Sequence, residues 1–553
     1  MLVCGLLVPW HLRAVDASVV ERAGRSGPAL LEWGVALAGE QELGTAQMLM
    51  QAARIAGIPG WDRLGMSLTN MARQNPALAW GGDSRVKNLF AVGSQTPEAG
   101  AEPFTGFIIL QKNREAALAH LRASPSPAVQ ELLRTRSLTS TALFPPSSSA
   151  SGQAFDAAVA LGGLLLEGGH LSTGLSSNLF ALAAQANHGG GSEPLEESLM
   201  DFLSLGERLN WDQLAAFAGR IPDAGTLHQL ADEARNAGDQ LPVLFAAVVL
   251  SGKPAAVAAY VARFSDTGLK DLGASLHYGA GGVSELVQSD RRLYHSRLLG
   301  RVAVYDPFGA MTYFASDYVL KVPRLALAVK WFCYLLSGFF LAAAMHAARP
   351  AVTPLELPLQ VRGFHLVREF LFSLGFLLVV LLLSEPFLAQ ESQKGVPSFR
   401  LHLPMAGGAV HAGIAGISHT IMNAIILLTL LFFFVLQALI YTACLVKLAE
   451  IRRQHVPPRM KLKLLENEDH LFDAGLYLGF VGTIISLIIA SLGLVKFSLM
   501  AAYSSTSFGV IFVVIFKIFH LRPARRTMLM EAEIGAAPAP AAYPTAPAPR
   551  AAS

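Results

Sequence analysis

The sequence predicts an all-α protein: an exported α-helical bundle or solenoid-like domain followed by a five-helix transmembrane domain. Three observations carry this. Hydrophobic residues make up 52 % of the 553 positions and charged residues only 15 %, against about 25 % charge in an average soluble domain. The apolar excess is concentrated in five long runs in the C-terminal part of the chain. The part before them is rich in Ala and Leu, with turn residues at short intervals and no convincing two-residue alternation. This composition excludes a disordered chain and argues against a purely soluble one. A net charge of +3 makes no case for nucleic acid. Three cysteines, Cys4, Cys333 and Cys444, can build neither a disulfide framework nor a cysteine zinc site. Two of them sit in apolar runs, where a thiol acts as a small hydrophobe.

The chain begins MLVCGLLVPWHLRAVDA, a short apolar stretch ending in the small-residue pattern Val15-Asp16-Ala17. That reads as a signal peptide over 1–17, although a basic start is missing. Cys4 follows the bulky Val3, which does not fit a lipoprotein site. Residues 18–320 read as the exported helical domain. Leu227, Leu230, Ala231 and Ala234 have helical spacing. Asn210-Trp211-Asp212, Pro222-Asp223, Gly252-Lys253-Pro254 and Asp266-Thr267-Gly268 punctuate helices of about a dozen residues. The polar stretch 137–152, with FPPSSSASG, marks a subdomain boundary. No fixed-period repeat stands out.

Motifs for chemistry are scarce. Ser251-Gly252-Lys253 resembles the end of a phosphate loop, but Pro254 stands where a Ser or Thr is needed. Tyr278-Gly279-Ala280-Gly281-Gly282 reads as a Gly-rich loop and no more. His402, His411 and His419 share one segment without ligand spacing and read as solvated. No catalytic constellation, metal site or cofactor motif follows, so an enzyme is not expected.

The five apolar runs lie at about 326–346, 366–388, 420–446, 474–495 and 497–520. A helix of about 20 apolar residues crosses a bilayer, and lipid forces the backbone to bond within its own segment. Basic residues orient the crossings. Lys447, Arg452, Arg453, Arg459, Lys461 and Lys463 follow the third run, and Arg522, Arg525 and Arg526 follow the fifth. By the positive-inside rule these lie in the cytoplasm, with the N-terminal domain outside. Residues 531–553 form an Ala/Pro-rich disordered tail. Glu385 is a carboxylate at the end of run two, and beside Pro386 it reads as interfacial.

The last two runs carry the sharpest signal. Gly479 and Gly482 are three apart, and Gly482 precedes Thr483. Ser504, Ser505, Thr506 and Ser507 are four consecutive hydroxyls, with Gly509 close behind. Small residues permit close helix approach in lipid. The hydroxyls face a partner or a wet path, or else bond back to their own helix carbonyls.

Leu478-Gly479-Phe480-Val481-Gly482-Thr483-Ile484 resembles the LGLLGTV helix of the MotA/TolQ/ExbB proton-channel family. Ala502-Tyr503-Ser504-Ser505-Thr506-Ser507-Phe508-Gly509-Val510 resembles that family's ALxxTAxGL helix. The resemblance covers 425 to about 526. It departs from the family in the short 447–473 loop, in the minimal Val495-Lys496-Phe497 connection and in the lack of a proline across 513–517. On this match Thr483 and Thr506 fall on the threonines that line the ion path, with Ser505 beside them. Gly479, Gly482 and Gly509 fall on the packing positions. The resemblance implies a homo-oligomeric ring, typically a pentamer, in a bacterial inner membrane, with the N-terminal domain periplasmic and the C-terminus cytoplasmic. It also implies a single-span partner of the ExbD/TolR kind, whose aspartate carries the proton, since no Asp lies inside these two helices. The alternative is a non-conducting, membrane-anchored scaffold of the cell envelope.

Overall fold

The computed structural model describes residues 1–74, 103–138, 141–144, 152–296, 308–348, 364–387, 424–491 and 499–534. Most of them are helical and very few are in strands, as expected. The chain divides into two compact units. One spans Leu7–Ala326, and the other gathers Met1–Leu6 with the described residues from Leu327 on.

In the Leu7–Ala326 unit the turn signals act as helix caps. The Asn210 side chain accepts from the Gln213 N–H and the Gln213 side chain from the Asn210 N–H, opening the helix Trp211–Ala218. Asp223 accepts from the Thr226 N–H at 2.8 Å and opens Ala224–Ala237. That helix buries Leu227, Leu230, Ala231 and Ala234, the four positions its spacing selects. Gly252, at φ 62°, ends Leu241–Ser251, and Pro254 opens Pro254–Arg263. The Ser251-Gly252-Lys253 motif is therefore a helix end. The helix it ends carries buried apolar residues on every side, from Val243 to Leu250. Such a helix must lie inside, and it packs against Leu43–Ala56, Pro254–Arg263 and Gly279–Ser289.

The Gly-rich segment expected as a loop is instead the start of the helix Gly279–Ser289. Its glycines admit close neighbours. A Cβ on Gly279 would lie 2.6 Å from the Pro28 carbonyl oxygen, and one on Gly281 would meet the Ala23 carbonyl. The boundary expected at 137–152 falls within this unit.

The N-terminal residues, expected as a leader, include a short strand. Ala14–Asp16 is a buried strand, paired in parallel with Arg292–Tyr294 in the register Val15↔Leu293. Three residues are too few for alternation to be visible. Leu7, Trp10 and Val15 are buried, and the Arg291 guanidinium lies 4.3 Å from the Trp10 ring centre. Asp16 accepts from the N–H groups of Ser18 and Ser296. Cutting after Ala17 removes these contacts. Burial of each such side chain contributes about 1.5–3 kcal/mol, so a chain starting at Ser18 is expected to melt several degrees lower. Thermal unfolding followed by circular dichroism checks this; equal midpoints for the two chains would contradict it.

Each of the five apolar runs carries a helix: Pro323–Ala347, Phe364–Ser384, Ala424–Arg453, Ala474–Ser491 and Leu499–Phe516. Among the described residues, three stretches are long and apolar enough to cross a membrane: Pro323–Met345, Leu428–Arg453 and Tyr503–Glu533. The basic segment after the third run is folded rather than a plain loop. It holds the helices Pro458–Asn467 and Asp469–Phe472. Leu465 and Phe472 from these pack with Cys444, Leu448, Ile451, Phe516, Ala524 and Met528. Cys444 is thus a buried hydrophobe, as its run implied. Lys517 in a π-helical turn pairs with Asp473 at 2.7 Å. The last helix, Arg522–Ile534, runs past the expected start of the tail at 531. Residues 535–553 and His402, His411 and His419 lie outside the described residues.

Candidate functional site

The helices Ala474–Ser491 and Leu499–Phe516 meet along a seam of small residues. A Cβ on Gly479 would lie 2.8 Å from the Ser505 carbonyl oxygen, and one on Gly509 would lie 2.7 Å from that of Gly475. One on Gly482 would run into the Ser505 hydroxyl. The backbones approach this closely only because these positions lack side chains.

At the crossing, Thr483 Oγ1 and Thr506 Oγ1 are 2.5 Å apart. Both hydroxyls also reach the Gly479 carbonyl, at 3.1 and 3.3 Å respectively. For Thr483 that bond runs back along its own helix, the local bonding open to any helical threonine. Ser504 and Ser505 are buried, Thr506 is half-buried, and Ser507 is exposed and donates to the Tyr503 carbonyl at 3.0 Å. Consecutive residues advance 100° around a helix, so four hydroxyls in a row cannot share one face. The structure brings together all six residues singled out here: Thr483, Thr506, Ser505, Gly479, Gly482 and Gly509.

A seventh residue joins them from the third helix. Gln437 is 1 % exposed, and its Nε2 donates to the Gly475 carbonyl at 3.0 Å. A Cβ on Gly475 would lie 2.9 Å from Gln437 Oε1. Among the described residues, Gln437 Oε1 and Ser505 Oγ have no hydrogen-bond partner. A lone amide in the run IILLTLLFFFVLQALIYTACLV was the signal for Gln437. Chemically, the seam offers hydroxyl, amide and carbonyl groups that can pass hydrogen bonds along, and none of the named side chains titrates near neutrality.

A titratable pair lies elsewhere in the same unit. The interfacial reading of Glu385 is corrected by its burial. Its side chain is 1 % exposed, and Oε1 lies 2.9 Å from Nζ of Lys330, whose side chain is 0 % exposed. The helix that carries Lys330, Pro323–Ala347, and the helix that ends just before Glu385, Phe364–Ser384, are closely packed. A Cβ on Gly338 would lie 2.9 Å from Ser373 Cα, and the Ser373 hydroxyl donates to the Leu335 carbonyl. Tyr334, one turn after Lys330, is fully buried. Two charges removed from water hold one another, because each alone would be expensive to bury. The clue was a single charge, Lys330, in an otherwise apolar run.

Among the described residues, no group of three or more His, Cys, Asp or Glu side chains is placed to hold a metal ion. Comparison with family models, with curated proteins and with solved structures gives no match for this chain.

Proposed function

We propose that this chain is a membrane-embedded subunit of an ion-driven machine of the MotA/TolQ/ExbB type. In this reading the five apolar helices cross a bacterial inner membrane, with the helical unit outside and the C-terminus in the cytoplasm. Several copies form a ring around a single-span partner that supplies a carboxylate, and ion flow is converted into work on an envelope component. The observation that supports it is the contact between Thr483 and Thr506 at a seam of glycines, where the resemblance puts its path-lining threonines.

Valine replaces threonine with little change of shape, so Thr483→Val and Thr506→Val keep the packing and remove the hydroxyls. Each is expected to lower proton flux in vesicles holding the chain and its partner by about tenfold, or about 1.4 kcal/mol in barrier. Unchanged flux in both variants would sink the pore role. A second reading, a non-conducting anchor for an envelope scaffold, is favoured by one feature. The two hydroxyls bond each other and the Gly479 carbonyl, which is also what plain helix packing requires. Under it the wild type and both variants show only background flux, and the chain purified in mild detergent brings no single-span partner with it.

A further inference from the structure

The Leu7–Ala326 unit contains a cleft of about 490 Å³ that plays no part in the hairpin site. Its walls are the helices Glu193–Gly206 and Ala224–Ala237 and the stretch Thr141–Phe144. We propose that this cleft docks a basic polypeptide segment, one that presents a lysine or arginine beside an apolar side chain.

Charge is the first support. The cleft's two basic side chains are already committed. Arg235 donates from Nε to the Ser204 hydroxyl at 2.9 Å, from Nη2 to the buried Asp201 at 2.6 Å, and from Nη1 to Asp232. His228 Nδ1 lies 3.0 Å from Asp201 and 3.4 Å from Glu197. Against these two stand three lining carboxylates, Glu197, Asp201 and Glu207, with Asp232 and Arg208 flanking the cleft as a further pair of opposite charges. Arg208, next to Glu207, lies 3.4 Å from its carboxylate but turns the same Nη1 to the Ser204 carbonyl at 2.8 Å. Glu197 and Glu207 remain 50 % and 62 % exposed, so the mouth of the cleft keeps a negative surplus. Such a surplus steers a cationic partner and selects against an anionic one.

The second support is the apolar surface in the same cleft. Leu143 and Met200 line it and are 46 % and 43 % exposed, with Phe144 and Leu203 alongside. A lysine or arginine has both characters, an apolar stem and a charged head. The volume falls within the range of natural ligand sites, about 300–1,000 Å³. The wall is also preformed, because Glu196 accepts hydrogen bonds from the N–H groups of Ala142, Leu143 and Phe144. A preformed wall lowers the ordering cost of binding.

The test uses the full-length chain in detergent and a fluorescein-labelled peptide of sequence Leu-Lys-Leu-Arg-Leu-Lys, read by anisotropy. Saturable binding is expected, weakened about tenfold in the double variant Glu197→Gln/Glu207→Gln, or about 1.4 kcal/mol. Met200→Lys, which sets a charge at the apolar mouth, is expected to weaken it as well. Both sets of residues are exposed enough for the melting temperature to stay at the wild-type value, which the same samples report. Three outcomes overturn the proposal. One is equal affinity for Leu-Glu-Leu-Asp-Leu-Glu; another is full affinity in both variants. The third is displacement by spermidine as effective as by unlabelled peptide, which would make the site one for small amines.

Discussion

Replacing Glu385 with alanine is expected to destabilise the apolar unit by about 3–5 kcal/mol, the usual loss when one member of a buried ion pair is removed. The Lys330 ammonium, 0 % exposed, then has no carboxylate 2.9 Å away to balance it. Coulomb attraction between the two charges is strong in this setting, but most of it offsets the cost of taking both out of water. The pair therefore matters more when broken than when removed whole. The double variant Lys330→Met/Glu385→Leu is expected to recover most of the stability, since apolar residues of similar volume often replace buried pairs at no net loss. Thermal unfolding of the detergent-purified chain, with protease resistance as a second readout, separates the two cases. A Glu385→Ala protein as stable as the wild type would mean that water reaches the pair.

Glu196→Gln is the second substitution with a large expected effect. Glu196 is fully buried on the first turn of the helix Glu193–Gly206. Its carboxylate accepts from the Ala142, Leu143 and Phe144 N–H groups at 2.9, 2.6 and 3.0 Å. Glutamine keeps one acceptor oxygen but turns an NH₂ group toward at least one N–H. Leaving a buried donor unmet costs about 1–3 kcal/mol, and more when a charged partner is lost. The pH dependence follows from the same geometry. Burial alone would raise the Glu196 pKa, but hydrogen bonds from Ser192 and the three backbone N–H groups outweigh it and hold the group below its ordinary value. A lowered carboxyl pKa contributes stability that is present above the unfolded value, near 4.5, and is lost as pH falls through the folded one. Denaturation of the wild type below about pH 4.5 should therefore be steeper than that of Glu196→Gln. Parallel acid limbs in the two proteins would remove Glu196 from this role.

The features that could be read ahead of the structure are local ones. Asn210, Asp223, Gly252 and Pro254 punctuate helices because a cap acts within three or four residues of itself. The apolar runs became helices because their length and composition leave few other solutions. Gly479, Gly482 and Gly509 could be assigned to a seam because small residues at helical spacing have few other uses in an apolar hairpin. Other short motifs suit more than one local structure. Val15-Asp16-Ala17 matches a cleavage pattern, and Ala14–Asp16 also pairs as a strand with Arg292–Tyr294. The glycines at 279–282 suit a loop as well as a helix that must pass close to Pro28 and Ala23.

By itself, then, the sequence determined the helical class, the places of the apolar helices and the small-residue character of the final hairpin. These depend on periodicity, capping and composition, all of which act over a few residues of chain. Only the tertiary structure decided which polar atoms meet. Lys330 and Glu385 are 55 residues apart, Thr483 and Thr506 are 23 apart, and Glu196 reaches back more than 50 residues to the stretch it holds. A buried polar group has to find its partner wherever the packing of apolar faces delivers one. That delivery is set by the sum of many weak contacts, none of which can be seen from the polar residue's own neighbours in the chain.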